Sequence, residues 1–175
     1  MLITDSYLEM NRTVHERDKN FGYFGGRYCD RLLVQLDKRG IREVLDYGAG
    51  KGPVKDVLSR KAQRIAVYEY DPAIAGKDSR PDPRDAVCCL DVMEHIEPEC
   101  MDEVLDDIKG LARKLVYFVI CTQLSGSHML PDGRNPHLIV QPFTWWKEHL
   151  EKRWKLVHSE DEMSKNFVAI CEPHE

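Results

Sequence analysis

A chain of 175 residues, 42% hydrophobic and 31% charged, can bury one real core and is too ordinary in composition to be fibrous or disordered. Its 25 basic and 30 acidic side chains give a formal charge of −5, the wrong sign for gripping a long nucleic acid by its phosphates. No apolar run approaches the roughly 20 residues of a bilayer span, and the polar start MLITDSYLEMNRTVHERDKN lacks a signal-peptide core.

Residues 1–25 are polar and weakly periodic and read as an N-terminal arm or cap; residues 26–175 read as one domain without repeat or linker. In residues 26–39, Tyr28, Leu32, Leu33 and Leu36 keep helical spacing, and Gly40 is a natural stop. Residues 43–47 form a short strand running into Gly48-Ala-Gly-Lys-Gly52, after which Pro53 opens a helix with the stripe Val54, Val57, Leu58. Residues 64–70 and 85–90 are the next two strands. Pro98 opens a helix with Met101, Val104, Leu105, Ile108 and Leu111 on one face, its acids first and its bases last, as the helix dipole favours. Residues 115–121 (LVYFVIC) are nearly all apolar, as in a central parallel strand covered on both faces. A helix over 142–152 follows, in which Trp145 and Trp146 supply core and edge packing. Strands at 154–159 and 167–170 lie too close for a crossover helix and so pair antiparallel. The pattern predicts a Rossmann-like α/β fold: a doubly wound, mostly parallel sheet of about six strands ending in an antiparallel pair. Six cysteines form no CxxC pair and four lie in the apolar strands, so a reducing cytoplasm is the expected compartment.

Ligands of such sheets lie beyond the carboxyl ends of the strands, and the chemistry-bearing residues cluster there. The glycine loop follows a strand and starts a helix, where free N–H groups meet a ligand. Its spacing is GxGxG, with Pro53 where a dinucleotide fingerprint has its last glycine, and no Lys-Ser or Lys-Thr marks a P-loop. Asp46, two residues before the first glycine, would face a ligand amine.

Residues 44–52 (VLDYGAGKG) resemble motif I of the class I S-adenosylmethionine (SAM)-dependent methyltransferases, VLDxGxGxG, and residues 85–96 (DAVCCLDVMEHI) resemble their motif IV. The resemblance covers about residues 40–172 and implies SAM as cofactor. It implies a cofactor site of Asp46, Tyr47, Gly48, Ala49 and Gly50, with Asp71 on the ribose diol beside Pro72, and Asp91 and Val92 along the methionine part. Glu69 is a fallback for the ribose, and Asp78 resembles the carboxylate that meets the adenine amine. Only thirteen residues with three prolines separate Asp71 from Asp85, where the family fits a helix and a strand, so one sheet edge is expected to be trimmed.

Methyl transfer from a sulfonium needs alignment in a water-poor pocket, and a base only where the acceptor must lose a proton. His95 is the leading base, with Glu94 beside it; both alternatively only orient their loop. His137 lies on the loop after the central strand, with Arg134 and Asn135 placed to fix an anionic or polar acceptor. Tyr7 and His15 resemble lid residues of small family members. The expected reaction is methyl transfer to an oxygen or nitrogen of a small molecule, with no metal required. One alternative takes Asp91, Glu94, His95 and His137 as the metal ligands of an RNA 2′-O-methyltransferase, whose ExxEH-plus-histidine pattern they resemble. Another is a SAM-binding regulatory subunit without its own catalysis.

Overall fold

The structure, a computed structural model describing residues 1–126 and 129–174, places six strands in one sheet. In chain order these are β1 (Glu43–Tyr47), β2 (Ala66–Tyr70), β3 (Arg84–Leu90), β4 (Ala112–Cys121), β5 (Trp154–Glu162) and β6 (Asn166–Pro173). Their spatial order is β2-β1-β3-β4-β6-β5, parallel from β2 to β4 and antiparallel from β4 to β5. After β2 the chain crosses back to place β3 on the other side of β1. That reversal opens a crevice beyond the carboxyl ends of β1 and β3, the usual ligand position in such sheets.

The central parallel strands β1, β3 and β4 are mostly apolar because both faces are covered, whereas the edge strand β2 alternates exposed and covered residues. Leu45, Val87, Cys89, Val116 and Phe118 pack under α4 (Met101–Leu111) and α5 (Phe143–Glu151). Their neighbours Val44, Ala86, Cys88, Leu115 and Tyr117 pack under α2 (Cys29–Lys38) and α3 (Pro53–Lys61). Successive residues of one strand thus feed two cores, and the adjacent Cys88 and Cys89 belong to different ones.

Residues 1–25 contain a helix, α1 (Asp5–Arg17), capped by Thr4, whose Oγ1 accepts the Tyr7 N–H. Only Tyr7 and Val14 of α1 are buried, so its apolar stripe is too thin to show as a period. It packs in a small third cluster with Phe21 and Leu130. The stretch read as one helix over 26–39 is a 3-10 turn (Gly25–Tyr28) followed by α2, and a second 3-10 turn (Pro98–Cys100) precedes α4. β5 extends three residues past the predicted end because its pairing with β6 continues through Asp161–Phe167 and Glu162–Asn166, which backbone groups make regardless of side-chain polarity. Residues 71–83 hold no helix or strand, and β2 is the sheet edge. No helix among the described residues is long and apolar enough to cross a membrane.

Candidate active site

The loop after β1 is shaped by two contacts that only glycine permits. Gly48 has φ 77°, and a Cβ there would lie 2.5 Å from the Val92 side chain. Gly50 has φ 49°, and its Cβ would lie 2.5 Å from the Gly22 carbonyl oxygen. The loop is therefore gripped between the end of β3 and the N-terminal segment. The N–H groups of Gly48 and Ala49 donate to the Tyr70 carbonyl at 2.8 and 3.0 Å, tying the loop to the end of β2.

Two carboxylates meet this cradle. Asp71, buried, accepts the Gly50 N–H on Oδ2 and the Ala73 N–H on Oδ1, both at 2.9 Å. An ionised carboxylate has about four lone-pair sites, so two remain for a ligand hydroxyl pair. Asp46 is also buried; its Oδ1 accepts a weak bond from the Cys88 thiol at 3.6 Å, while Oδ2 has no hydrogen-bond partner. A buried carboxylate oxygen without a partner is costly unless a ligand donates to it. Both residues line one cavity of about 340 Å³ with Gly48, Gly50 and Pro72. Burial pushes the Asp46 carboxyl up to about 7, against the thiol hydrogen bond that lowers it.

That shift has opposite consequences for folding and for binding. A raised carboxyl keeps its proton when folded and loses it when unfolded. Asp46 therefore contributes stability that is full below the ordinary carboxylate range and lost as pH rises towards about 7. A ligand ammonium selects the carboxylate instead. If Asp46 meets the amine of S-adenosylhomocysteine, as the motif resemblance implies, affinity for that ligand should fall by up to about tenfold per pH unit below about 7 and level off above it. Titrations between pH 5.5 and 8.5 check this; Asp46→Asn should bind weakly at every pH and lose the slope.

The other end of the cavity is built after β3 and β4. Asp91 takes a left-handed φ of 55°, its N–H donates to Val119 O, and its carboxylate pairs with Arg27 Nη2 at 3.1 Å. Burial raises the Asp91 carboxyl, with Arg27 and then His137 opposing. Glu94 is fully buried; Oε1 accepts the Cys121 N–H at 3.1 Å, and Oε2 has no hydrogen-bond partner. Burial, reinforced by Asp91, holds the Glu94 carboxyl well above its usual range.

The two imidazoles stand edge to face with ring centroids 4.7 Å apart. His95 Nδ1 lies 3.0 Å from Pro136 O and His137 Nδ1 lies 2.6 Å from Gln123 O. A carbonyl only accepts, so these contacts assign the proton to Nδ1 and make Nε2 the basic nitrogen of each ring. Asn135 holds the His137 loop: Nδ2 donates to Ser125 O, and Oδ1 accepts from the N–H groups of Ser125 and His137.

α1 closes the cavity. Tyr7, Asn11 and His15, spaced four apart, all line it. The Tyr7 hydroxyl donates to His95 O at 2.7 Å; burial pushes its pKa up to about 12, so it stays a neutral donor. Thr4 donates to Glu97 from both N and Oγ1, Lys51 N–H donates to Gly22 O, and Lys51 Nζ donates to Asp18 O. Burial lowers the His15 pKa, with Asp71 opposing.

Most of the sequence-derived residues share this cavity: Asp46, Tyr47, Gly48, Ala49, Gly50, Asp71, Pro72, Asp91, Val92, Glu94, His95 and His137. Others do not. Asp78 is exposed, away from the cavity lining, and accepts the Gly76 N–H at 3.2 Å; the irregular segment 71–83 turns it outward. Glu69 faces away from the cavity and pairs with Lys55 at 3.0 Å and Lys77 at 2.8 Å. Arg134 is held by Asp132 at 2.7 Å, off the cavity wall, and Asn135 is a loop clasp rather than an acceptor contact. Asp91 points to Arg27, so the compact donor group is Glu94, His95 and His137, with ligand atoms within 4.8 Å of one another. Trp146 is fully buried and Trp145 stacks on His149 at 3.8 Å. Sequence reasoning missed Asn11, Phe24 and Arg27, which also line the cavity. The 4-residue spacing of Tyr7, Asn11 and His15 was the available signal for Asn11; nothing in the sequence marks Arg27.

A family profile described as a methyltransferase domain matches residues 17–167. A Burkholderia thailandensis 1,6-didemethyltoxoflavin-N1-methyltransferase, with 1,6-didemethyltoxoflavin and S-adenosylhomocysteine bound, is 18% identical; the likeness covers 97% of this chain and 90% of that one at a TM-score of 0.65. Magnesium protoporphyrin IX methyltransferase from Synechocystis PCC 6803, with S-adenosylhomocysteine bound, is 16% identical over 85% and 83% of the two chains at 0.61. A SAM-dependent methyltransferase from Clostridium acetobutylicum is 9% identical over 86% and 92% at 0.60. At these identities the likeness concerns the fold. No curated protein sequence matches the chain.

Proposed function

The chain belongs to the methyltransferase-domain family, and from that premise we propose that it transfers the methyl group of SAM to an oxygen or nitrogen of a small-molecule acceptor. The observation that carries this reading is the partnerless, buried Oδ2 of Asp46 in the same cavity as the paired imidazoles of His95 and His137. A site for a donor amine and a pair of bases thus share one enclosure. When bound, SAM supplies an electrophilic methyl group on a sulfonium.

Asp46 would pair with the amine of SAM, the backbone of Gly48, Ala49 and Gly50 would cradle it, and Asp71 would take the ribose hydroxyls. Tyr47, Pro72 and Val92 shape the walls. Nε2 of His95 or His137 would receive the acceptor's proton, and Glu94 with Asp91 would fix the polarity around it. Residues 1–25 would act as a cap that excludes water once donor and acceptor are in place.

A second reading is favoured by the clustering of Glu94, His95 and His137 ligand atoms within 4.8 Å. Two imidazoles and a carboxylate suit a divalent ion, which would lower the pKa of a coordinated acceptor hydroxyl.

Calorimetric titration with SAM and with S-adenosylhomocysteine, in Mn²⁺ and in EDTA, tests both readings alongside methyl transfer from radiolabelled SAM to oxygen and nitrogen acceptors. The first predicts metal-independent binding and turnover. Turnover lost in EDTA and restored by one equivalent of Mn²⁺ would favour the second. Binding without turnover on any acceptor would favour a non-catalytic subunit, and no binding of either ligand would refute donor binding.

A further inference from the structure

Arg27 is the only lysine or arginine among the described residues lining the cavity. Its guanidinium lies 4.7 Å from the Tyr28 ring centroid and 5.9 Å from that of Phe24, so the planar group is held rather than free to sweep. Asp91 engages it through Nη2 and the Tyr28 side chain also hydrogen-bonds it, which leaves part of its fork of five N–H donors for a ligand. The two partners are unequally covered: the Asp91 side chain is 14% exposed and that of Arg27 is 53% exposed. Both residues line the cavity, and the cation is the more accessible of the two. Two large apolar side chains of the same lining, Phe24 and Leu124, are also solvent-accessible, at 49% and 66%. Accessible apolar surface in a ligand cavity suits the body of a ligand, and one oriented cation suits its charged end.

We propose that the methyl acceptor is an organic acid: an apolar or aromatic body that rests against Phe24 and Leu124, with a carboxylate held by Arg27. This rests on the methyl-transfer reading and names the substrate class for the same site. A monoanion fits better than a phosphate dianion, because one guanidinium already shared with Asp91 cannot balance two charges. The carboxylate is the anchor; the oxygen or nitrogen to be methylated is a separate group presented to His95 and His137. Arg134, the anion ligand expected from the sequence, lies off the cavity lining, and Arg27 takes its place.

The test uses the full chain saturated with S-adenosylhomocysteine, titrated with 2-naphthoate and with its neutral counterpart 2-naphthalenemethanol. The carboxylate should bind at least about tenfold more tightly, as one charge-assisted hydrogen-bonded contact allows. Arg27→Gln should erase that preference. Arg27→Lys should keep part of it, since charge survives while the planar fork and stacking are lost. The double variant Arg27→Gln/Asp91→Asn should also lack it, which separates loss of the guanidinium from repulsion by an uncovered Asp91. Equal binding of the two probes, no binding of naphthoate, or a preference that survives Arg27→Gln would each overturn the proposal. The S-adenosylhomocysteine titration on the same samples is read separately: its failure removes the methyl-transfer reading, whereas success with no probe discrimination removes only the acceptor class.

Discussion

Asp71→Ala is expected to reduce S-adenosylhomocysteine affinity by at least about a hundredfold, from the loss of two charge-assisted hydrogen bonds together with the ligand contacts they position. The carboxylate does two jobs. Through Oδ2 it accepts the Gly50 N–H and through Oδ1 that of Ala73, joining the glycine loop to the segment after β2. Its remaining lone pairs face the cavity it lines. Alanine would remove the proposed contact to the ribose and leave two N–H groups to find water. Because the second effect alone loosens the fold, a melting curve must accompany the titration. Asp71→Asn is the sharper probe: one carbonyl oxygen can still accept from Gly50, while the charge and half the acceptor capacity are gone. It should melt close to wild type and still bind at least about tenfold more weakly. Glu69→Gln serves as the contrast, since Glu69 faces Lys55 and Lys77 outside the cavity; its affinity should stay within about twofold. Wild-type affinity in Asp71→Asn would remove the ribose assignment.

The parts legible in the sequence share one physical property: they are fixed by neighbours close in the chain. The strand–loop–helix at Glu43–Lys61 is readable because a buried strand, left-handed glycines and Pro53 each leave a local mark. Asp46 and Asp71 follow from their offsets along those strands. What was not legible depends on contacts across the chain. Arg27 meets Asp91 64 residues away, and no local rule places a side chain from a 3-10 turn beside a strand end. α1 was readable only as an arm because its inward face joins Val14 to Tyr7, Asn11 and His15, polar-tipped residues that line a cavity and break up the apolar stripe. Asp78 failed for the opposite reason: a resemblance carried its role across a segment whose prolines and turns send the chain elsewhere.

His95→Ala and His137→Ala should each lower kcat by about 10²–10⁴ while leaving S-adenosylhomocysteine binding largely intact, the range a positioned general base supplies. Steady-state kinetics with calorimetry separates the two effects. The harder question is whether one ring is the base and the other its support. Both rings are anchored through Nδ1 to a carbonyl, and they touch edge to face at 4.7 Å. They share a wall with the buried Glu94, whose own carbonyl accepts the Ile139 N–H beyond the His137 loop. That packing makes them one unit, so losses should not multiply: the double variant should be little worse than the poorer single. Multiplicative losses would mean independent roles. Added imidazole decides which ring carries the proton, because a free base can enter the gap left by the catalytic ring and restore turnover. It cannot replace a ring whose part is to hold Pro136 or Gln123 in place. Rescue of His137→Ala alone would assign the base to the loop after β4 and leave His95 as its support. Rescue of His95→Ala alone would reverse those roles.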